Sequence, residues 1–298
     1  MMQTSEKKPL TAAQQHQQAK KCRALLRAAL QVFFFFSMPG AFVAGFNGVK
    51  LLFQRIGAGE VLQADSFTLS LLGLCGFTLL FGRFFCGYVC AFGGLGDAVY
   101  ALSSLIQKKL FHRRAPFRLP ERAVRYGQWI KYALLAFIAG LCAAGIYDET
   151  TGTSPWEVFS RLTALRLPPE GFGVGIALFL LILLGMALHP RFFCQFLCPM
   201  GAVFALLPVL PCSLLYRNAE NCIPGCSACA RRCPVGLKPD AASLRSGECI
   251  GCEACVDTCP RGNLSRPALD PARHFVLSAL VRAALFFGMG VCLGFCRF

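Results

Sequence analysis

The chain has 298 residues, of which 55% are apolar and 15% are charged, and its mean hydropathy is +0.54. This composition argues against an ordinary soluble globular domain and is typical of a protein that spans a lipid bilayer. The formal net charge of +15 is attributed to cytoplasmic loops, and we expect no nucleic-acid partner.

Four stretches reach the length of about 17 to 25 residues that a helix needs to cross a bilayer core. They are 28–46, 67–85, 129–147 and 172–188. A fifth stretch, 275–296, is long enough but carries Arg282 in its middle, which costs about 3 kcal/mol on insertion scales. The sequence therefore predicts an all-α polytopic membrane protein with four transmembrane helices, or five if this last stretch spans.

Lys and Arg alternate in number between the predicted spans. Six precede residue 28, seven lie in 86–128 and nine in 189–274, whereas 47–66 and 148–171 hold two each. Because cytoplasmic loops carry the excess of positive charge, the N-terminus and the cysteine-rich region are predicted on the cytoplasmic side of a bacterial inner membrane. Residues 1–27 are predicted to be a basic, glutamine-rich cytoplasmic tail, of which residues 1–21 are predicted to be disordered.

Cysteine spacing is the most specific signal among the eighteen cysteines. ECIGCEACVDTCPRG, residues 248–262, contains the C-x2-C-x2-C-x3-C-P run by which bacterial ferredoxins bind a [4Fe-4S] cluster through thiolates. NCIPGCSACARRCPVG, residues 221–236, is a similar run in which three residues instead of two separate its first two cysteines. Zinc is the alternative metal for these cysteines, but zinc sites usually offer four ligands in two well-separated pairs.

These two runs predict a small α+β ferredoxin-type domain with two [4Fe-4S] clusters at residues 217–265. In the two-cluster arrangement the fourth cysteine of each run ligates the other cluster. One cluster is therefore predicted to use Cys233, Cys249, Cys252 and Cys255, and the other to use Cys222, Cys226, Cys229 and Cys259. Cys222 is the ligand that departs from the usual spacing.

The membrane region, residues 28–216, contains an internal repeat. RFFCGYVCAFG at 83–93 aligns without a gap with RFFCQFLCPMG at 191–201, at an offset of 108 residues. Each copy follows a predicted span that runs from outside to inside, so the two halves meet the same face of the membrane.

Each copy carries a C-x3-C pair, and the pairs are Cys86 with Cys90 and Cys194 with Cys198. If each pair lies on a helix, its two sulfurs share one face at i and i+4, and the repeat can bring four thiols together at the membrane edge. Three hypotheses stay open: ligation of a further metal or cluster, a dithiol/disulfide redox site, and ordinary structural cysteines.

Two membrane C-x3-C motifs followed by a two-cluster ferredoxin region resemble the NapH family, the membrane iron–sulfur component of periplasmic nitrate reductase systems. MauN proteins and the cores of NosR and CcoG (FixG) proteins are similar. The resemblance covers residues 24–265 and implies a cytoplasmic-membrane electron carrier with four helices, cytoplasmic clusters and a role in quinol oxidation. Ala91 stands where the family usually has proline, so the two pairs need not do the same job.

We therefore expect an iron–sulfur electron-transfer protein that moves electrons between the quinone pool and another redox subunit or a ferredoxin. It would then be the quinol dehydrogenase component of a respiratory oxidoreductase. Two alternatives stay open: an electron-donating assembly factor that matures another metalloenzyme, and a transmembrane thiol–disulfide relay. Quinone and membrane lipid are expected partners beside the two clusters.

Overall fold

The computed structural model describes residues 12–61, 63–111, 119–147, 152–167, 171–210, 213, 215–218, 220–238, 247–265 and 274–296. Within these ranges the chain is mostly helical, and two-residue strands β1 (Tyr216–Arg217) and β2 (Leu264–Ser265) form an antiparallel pair. The α-helices are α1 (Ala12–Ser37), α2 (Ala41–Ala58), α3 (Ser66–Phe81), α4 (Ala91–Phe111), α5 (Glu121–Gly127), α6 (Ile130–Ala143), α7 (Pro155–Thr163), α8 (Gly173–Leu188), α9 (Pro199–Leu206), α10 (Ala228–Arg232) and α11 (His274–Cys292).

The first helix begins inside the predicted disordered tail. α1 starts at Ala12, while residues 1–11 lie outside the described part of the chain. The segment 12–30 contains no glycine or proline and is rich in Ala, Gln, Lys, Leu and Arg, which are strong helix formers. The prediction of disorder is therefore wrong for residues 12–21.

The first predicted span, 28–46, is not one helix. α1 ends at Ser37, α2 begins at Ala41, and the two axes are bent by 64° at the break. Pro39 lies in this break and explains it, because proline lacks the N–H of a helical residue and disfavours the helical conformation of the residue before it.

One described helix, Phe275–Cys292, is by itself long and apolar enough to cross a membrane, and the bent pair of α1 and α2 makes a second candidate if it counts as one span. The apolar helices α3 and α8 have 16 residues each, about 24 Å at 1.5 Å per residue against a bilayer core of about 30 Å. The predicted spans are thus shorter than expected, and the number of crossings stays a prediction.

α11 is the least certain of the spans expected from the sequence, yet it is the single described helix long and apolar enough by itself to cross a membrane. Its central cation, Arg282, is half-buried, and its guanidinium lies 5.8 Å from the ring centroid of Phe81 on α3. Cation–π contact of this kind offsets part of the cost of placing a charge in an apolar surrounding.

Phenylalanine fills the core between the helices. The closest pair joins the two repeats, with ring centroids of Phe92 and Phe193 4.2 Å apart. The fully buried phenylalanines are Phe34, Phe42, Phe46, Phe85, Phe92, Phe193, Phe204 and Phe286. Such rings contribute large buried areas and specific edge or offset contacts, and here they surround the RFFC segments.

α2 packs closely against α3 and α6, and glycine allows the approach. A Cβ atom on Gly48 would lie 2.4 Å from the Phe67 carbonyl oxygen, and one on Gly57 would lie 2.0 Å from the Ala143 carbonyl oxygen. Both contacts are with backbone, so a side chain could enter only by separating the helices.

We expect Gly57→Ala to lower the free energy of unfolding by about 1 to 3 kcal/mol, the usual cost of overpacking a close contact. The measurement is the thermal unfolding midpoint of the purified protein. Gly140→Ala is the matched control, because a Cβ there meets no atom within 4 Å and alanine favours a helix by up to about 1 kcal/mol. Equal behaviour of the two variants would contradict the close α2–α6 contact.

Candidate functional site

In each C-x3-C pair the first cysteine lies in a π-helix and the second cysteine ends it, in place of the helix that the spacing suggests. The π-helices are Phe85–Val89 and Phe193–Leu197, which are related by the same offset as the sequence repeat. Each closes with an N–H of its second cysteine, from Cys90 to the Phe85 carbonyl at 2.8 Å and from Cys198 to the Phe193 carbonyl at 2.9 Å. π-helical turns are rare and occur mostly at functional sites.

The repeat brings its four cysteines together. All four are buried. Every pair among them interacts electrostatically, both within each copy of the repeat and between the two copies. The set, called the thiol tetrad below, consists of Cys86, Cys90, Cys194 and Cys198. Each is a free thiol in this structure. Across the described ranges, no three or more His, Cys, Asp or Glu side chains are grouped closely enough to hold a single metal ion.

The arginine of the second repeat crosses to the first repeat. Arg191 is fully buried, and its Nη2 donates to the Gly87 carbonyl at 3.3 Å while its Nη1 donates to the Cys86 carbonyl. It grips Asp97 on α4 with two hydrogen bonds of 2.8 and 2.6 Å. Its Nη1 also lies 3.9 Å from the Cys194 sulfur.

Asp97 receives a second cation and an amide from α1. Arg27 Nη2 lies 2.6 Å from its Oδ2, and Gln31 Nε2 donates to the same oxygen at 2.8 Å. Burial alone would raise the pKa of Asp97, but Arg191 and Arg27 outweigh burial and lower it. The carboxylate is therefore charged at neutral pH.

The arginine of the first repeat turns instead to the cysteine-rich region. Arg83 Nη1 donates to Glu248 Oε2 at 3.1 Å and to the Gly247 carbonyl at 3.3 Å. Lys131 Nζ and the Tyr132 hydroxyl, both on α6, donate to the two oxygens of the same carboxylate. Burial acts to raise the pKa of Glu248, but Arg83 and Lys131 lower it overall.

Two glycines at equivalent repeat positions admit the exchanged guanidinium groups. A Cβ on Gly93 would lie 2.5 Å from Arg191 Nη1, and a Cβ on Gly201 would lie 2.9 Å from Arg83 Nη2. Each arginine thus lies against the glycine of the other repeat. The final glycine of the repeated motif is required by this contact.

The thiols predicted as one cluster set are neighbours in the structure. The buried Cys255 interacts electrostatically with Cys252, Cys249 and Cys233, and Cys233 interacts with Cys252 and Cys249. Burial, followed by the nearby Cys252, raises the pKa of Cys233 to about 12. Backbone N–H groups of Val235 and Leu237 act in the opposite direction as donors to its sulfur, which is how proteins stabilise cluster thiolates.

The other predicted set is less enclosed. Cys229 and Cys259 pack beside Cys255 in a small core that strand residue Leu264 helps to form. Cys226 is half-buried. The assignment of the ligands of this set stays a prediction.

Two residues that the sequence did not single out donate to sulfurs of this second set. Arg217 Nη2 lies 3.1 Å from the Cys222 sulfur, and its hydrogen bond lowers the pKa of that thiol. The Asn263 N–H donates to the Cys259 sulfur at 3.4 Å, and its side chain bonds Cys222. This shared donor places Cys222, the ligand with unusual spacing, beside a member of its predicted set.

The donor set fits [4Fe-4S] clusters in its chemistry, with eight cysteines, of which all but Cys222 follow ferredoxin spacing, and with N–H donors directed at sulfurs of both sets. The chain also bends where such a run must wrap, because Gly251 and Glu253 have φ angles of 64° and 56°.

Asp97 and Glu248 could have been noticed from the sequence, since a lone carboxylate in an apolar helix or beside a ligand is a functional signal.

Comparisons with known proteins agree with the motifs. A family described as a 4Fe-4S binding domain matches residues 66–112 and 172–210, the two copies of the internal repeat, and a 4Fe-4S dicluster domain matches residues 214–261. The resemblance to the NapH-like family is confirmed by the relatives below. No solved structure matches the chain significantly.

Three named relatives illustrate the similarity. The putative electron transport protein YccM of Escherichia coli is 30% identical over 71% of this chain and 59% of its own length. The methylamine utilization ferredoxin-type protein MauN of Paracoccus denitrificans is 28% identical over 70% of each chain. The ferredoxin-type protein NapH of Escherichia coli is 26% identical over 64% of this chain and 66% of its own.

We expect Glu248→Gln to destabilise the fold by about 3 kcal/mol, because it leaves Arg83 and Lys131 buried without a countercharge. The thermal unfolding midpoint measures this loss. Glu220→Gln, at an exposed carboxylate, is the control and should change little. A Glu248→Gln variant as stable as the control would show that the three-way ion pair does not hold the cysteine-rich region in place.

Proposed function

We propose that this protein carries electrons within a membrane between a quinone and a partner redox protein. The proposal starts from its relation to the NapH and MauN ferredoxin-type proteins and from its 4Fe-4S regions, which make it an iron–sulfur electron-transport protein. The eight ferredoxin cysteines are proposed to hold two [4Fe-4S] clusters. The thiol tetrad is proposed as the end of the path nearest the quinone.

One observation carries this proposal: each π-helix of the tetrad contacts the chain next to a cysteine of the same predicted cluster set. A Cβ on Gly87 would lie 2.5 Å from the Ile250 carbonyl oxygen, directly after Cys249. At the equivalent position Gln195 donates to the Pro234 carbonyl, directly after Cys233. The two contact residues of the repeat therefore converge on one cluster set.

This contact supports an order along the path. The set of Cys233, Cys249, Cys252 and Cys255 adjoins the tetrad, and the set of Cys222, Cys226, Cys229 and Cys259 lies beyond it. Two members of the first set, Cys233 and Cys252, pack against the main core that contains the tetrad, whereas Cys229 and Cys259 of the second set pack in the small core beside Cys249 and Cys255. The second set is then the one that faces a partner protein.

When bound, the clusters supply one-electron redox chemistry, and the chain determines their burial, spacing and hydrogen bonding. Oxidation of one quinol to quinone releases two electrons and two protons, and the two electrons reduce the oxidised partner protein. The opposite direction balances in the same way. Arg217 and Asn263 stabilise sulfur-centred negative charge in the outer set, which tunes its potential.

The membrane part of the proposal rests on outward-facing apolar side chains and on the charge asymmetry of the loops. α8 exposes Leu180, Leu181 and Leu184, with 59%, 62% and 57% of their surface accessible. A continuous exposed apolar face of this kind suits lipid or a lipid-soluble quinone. The quinone itself is proposed from the resemblance.

We expect each of the single variants Cys252→Ser and Cys229→Ser to contain about four fewer iron atoms and about four fewer acid-labile sulfides per chain than the wild type, since each variant loses one cubane. Both are measured on anaerobically purified protein, with the reduced clusters followed by EPR. Cys75→Ser, at a half-buried thiol of α3, should leave the count unchanged. Zinc in place of iron in the wild type would contradict electron transfer.

Sidedness is tested by adding one exposed cysteine at a time and labelling intact right-side-out spheroplasts with an impermeant maleimide. We expect Glu60→Cys to gain label over the wild type and Lys108→Cys to gain none, because the cation-rich loop is cytoplasmic. Both positions are exposed. The reverse pattern would place the ferredoxin region on the outer side of the membrane.

A further inference from the structure

Four cations and two carboxylates surround the thiol tetrad within the described part of the chain. Arg191 and Arg27 share Asp97, while Arg83 and Lys131 share Glu248. The side chains of Arg191 and Lys131 are wholly buried and that of Arg83 is 1% exposed. Each carboxylate cancels one of its two cations, so the two ionic groups leave an excess of two positive charges.

The excess charge faces the sulfur atoms. Arg191 lies beside Cys194 and interacts with Cys90, and Arg83 interacts with Cys86 and Cys198. Every thiol of the tetrad is thus paired with one of the two exchanged guanidinium groups. A buried charge without a counterion is strongly unfavourable, so this arrangement calls for about two negative charges among the sulfurs.

Neutral thiols or two disulfides would supply no negative charge. Two free thiolates would supply the two negative charges, and so would four thiolates around a core of charge +2, which carry a net charge of −2. A site with four sulfur ligands selects zinc or an iron–sulfur cluster. The redox setting and the 4Fe-4S description of both repeat segments favour the cluster. The charge of such a centre, −2, is equal and opposite to the excess of two positive charges that the two ionic groups leave.

We propose that Arg83 and Arg191 are the counterions of a dianionic, tetrathiolate-ligated iron–sulfur centre at the tetrad, and that they raise its reduction potential. This inference rests on the proposed electron-transfer function and adds a third centre to it. The two arginines are positioning residues, since they touch ligand sulfurs and not the iron. One electron added to the centre raises its negative charge by one, which buried cations stabilise.

The test measures how the midpoint potential of the centre changes when one cation, one carboxylate or both are removed. Removing a cation with Arg191→Gln should lower the midpoint potential of one EPR signal, and removing a carboxylate with Asp97→Asn should raise it. The double variant Arg191→Gln/Asp97→Asn restores the net charge, so its potential should return towards the wild-type value. The ferredoxin-region signals should keep their potentials in all three variants, as should every signal in Arg55→Gln, whose ion pair with Asp65 lies outside the site.

A merely structural role would not produce opposite shifts. If both single variants moved the signal in the same direction, or neither moved it, the counterion role would be overturned. Should Arg191→Gln fail to fold, Arg191→Lys, which keeps the charge, and Asp97→Asn still decide the question by a retained and a raised potential.

Iron content separates this inference from the proposed function. A wild-type count of about ten or twelve iron atoms, for a two-iron or a four-iron centre, that falls to about eight when all four tetrad cysteines become serine supports a third centre. About eight in both proteins overturns the third centre and leaves the electron-transfer function standing. A count near zero in the wild type overturns the proposed function itself.

Discussion

Two buried guanidinium groups, exchanged between the halves of an internal repeat, are the interaction on which the site depends. Arg83 and Arg191 each lie against the glycine that ends the opposite RFFC motif. Such groups are tolerated in an apolar interior only with charged or strongly polar partners. The helices, π-turns and carboxylates around them are arranged to meet that requirement.

The repeat is symmetric in its arginines and asymmetric in their partners. The first half supplies Asp97 from its own helix, whereas the position 108 residues later is Ala205. The cysteine-rich region lies directly against this position, because a Cβ on Gly247 would lie 2.2 Å from the Ala205 carbonyl oxygen. Glu248 then supplies the second carboxylate. The ferredoxin region therefore completes the ionic arrangement of the membrane half.

This dependence has a functional meaning for an electron carrier. Glu248 directly precedes Cys249, so its ion pair with Arg83 also positions a predicted cluster ligand relative to the thiol tetrad. Preorganised sites of this kind hold their groups within narrow distances through supporting contacts. Burial and hydrogen bonding to sulfur are also the means by which a chain sets cluster potentials. Stability and redox tuning thus use the same residues.

The sequence by itself determined the chemistry: thiol spacing identifies the iron–sulfur class, the RFFC repeat identifies two equivalent halves, and apolar periods locate most helices. It did not determine the break at Pro39, the π-helical form of the C-x3-C pairs, or helix lengths at the bilayer. Only the tertiary structure decided which carboxylate meets which arginine, as in the pairing of Arg83 with Glu248. The physical reason is that spacing records local ligand geometry, whereas the carboxylates that pair with Arg83 and Arg191, and the glycines against which these arginines lie, come from segments more than ninety residues away.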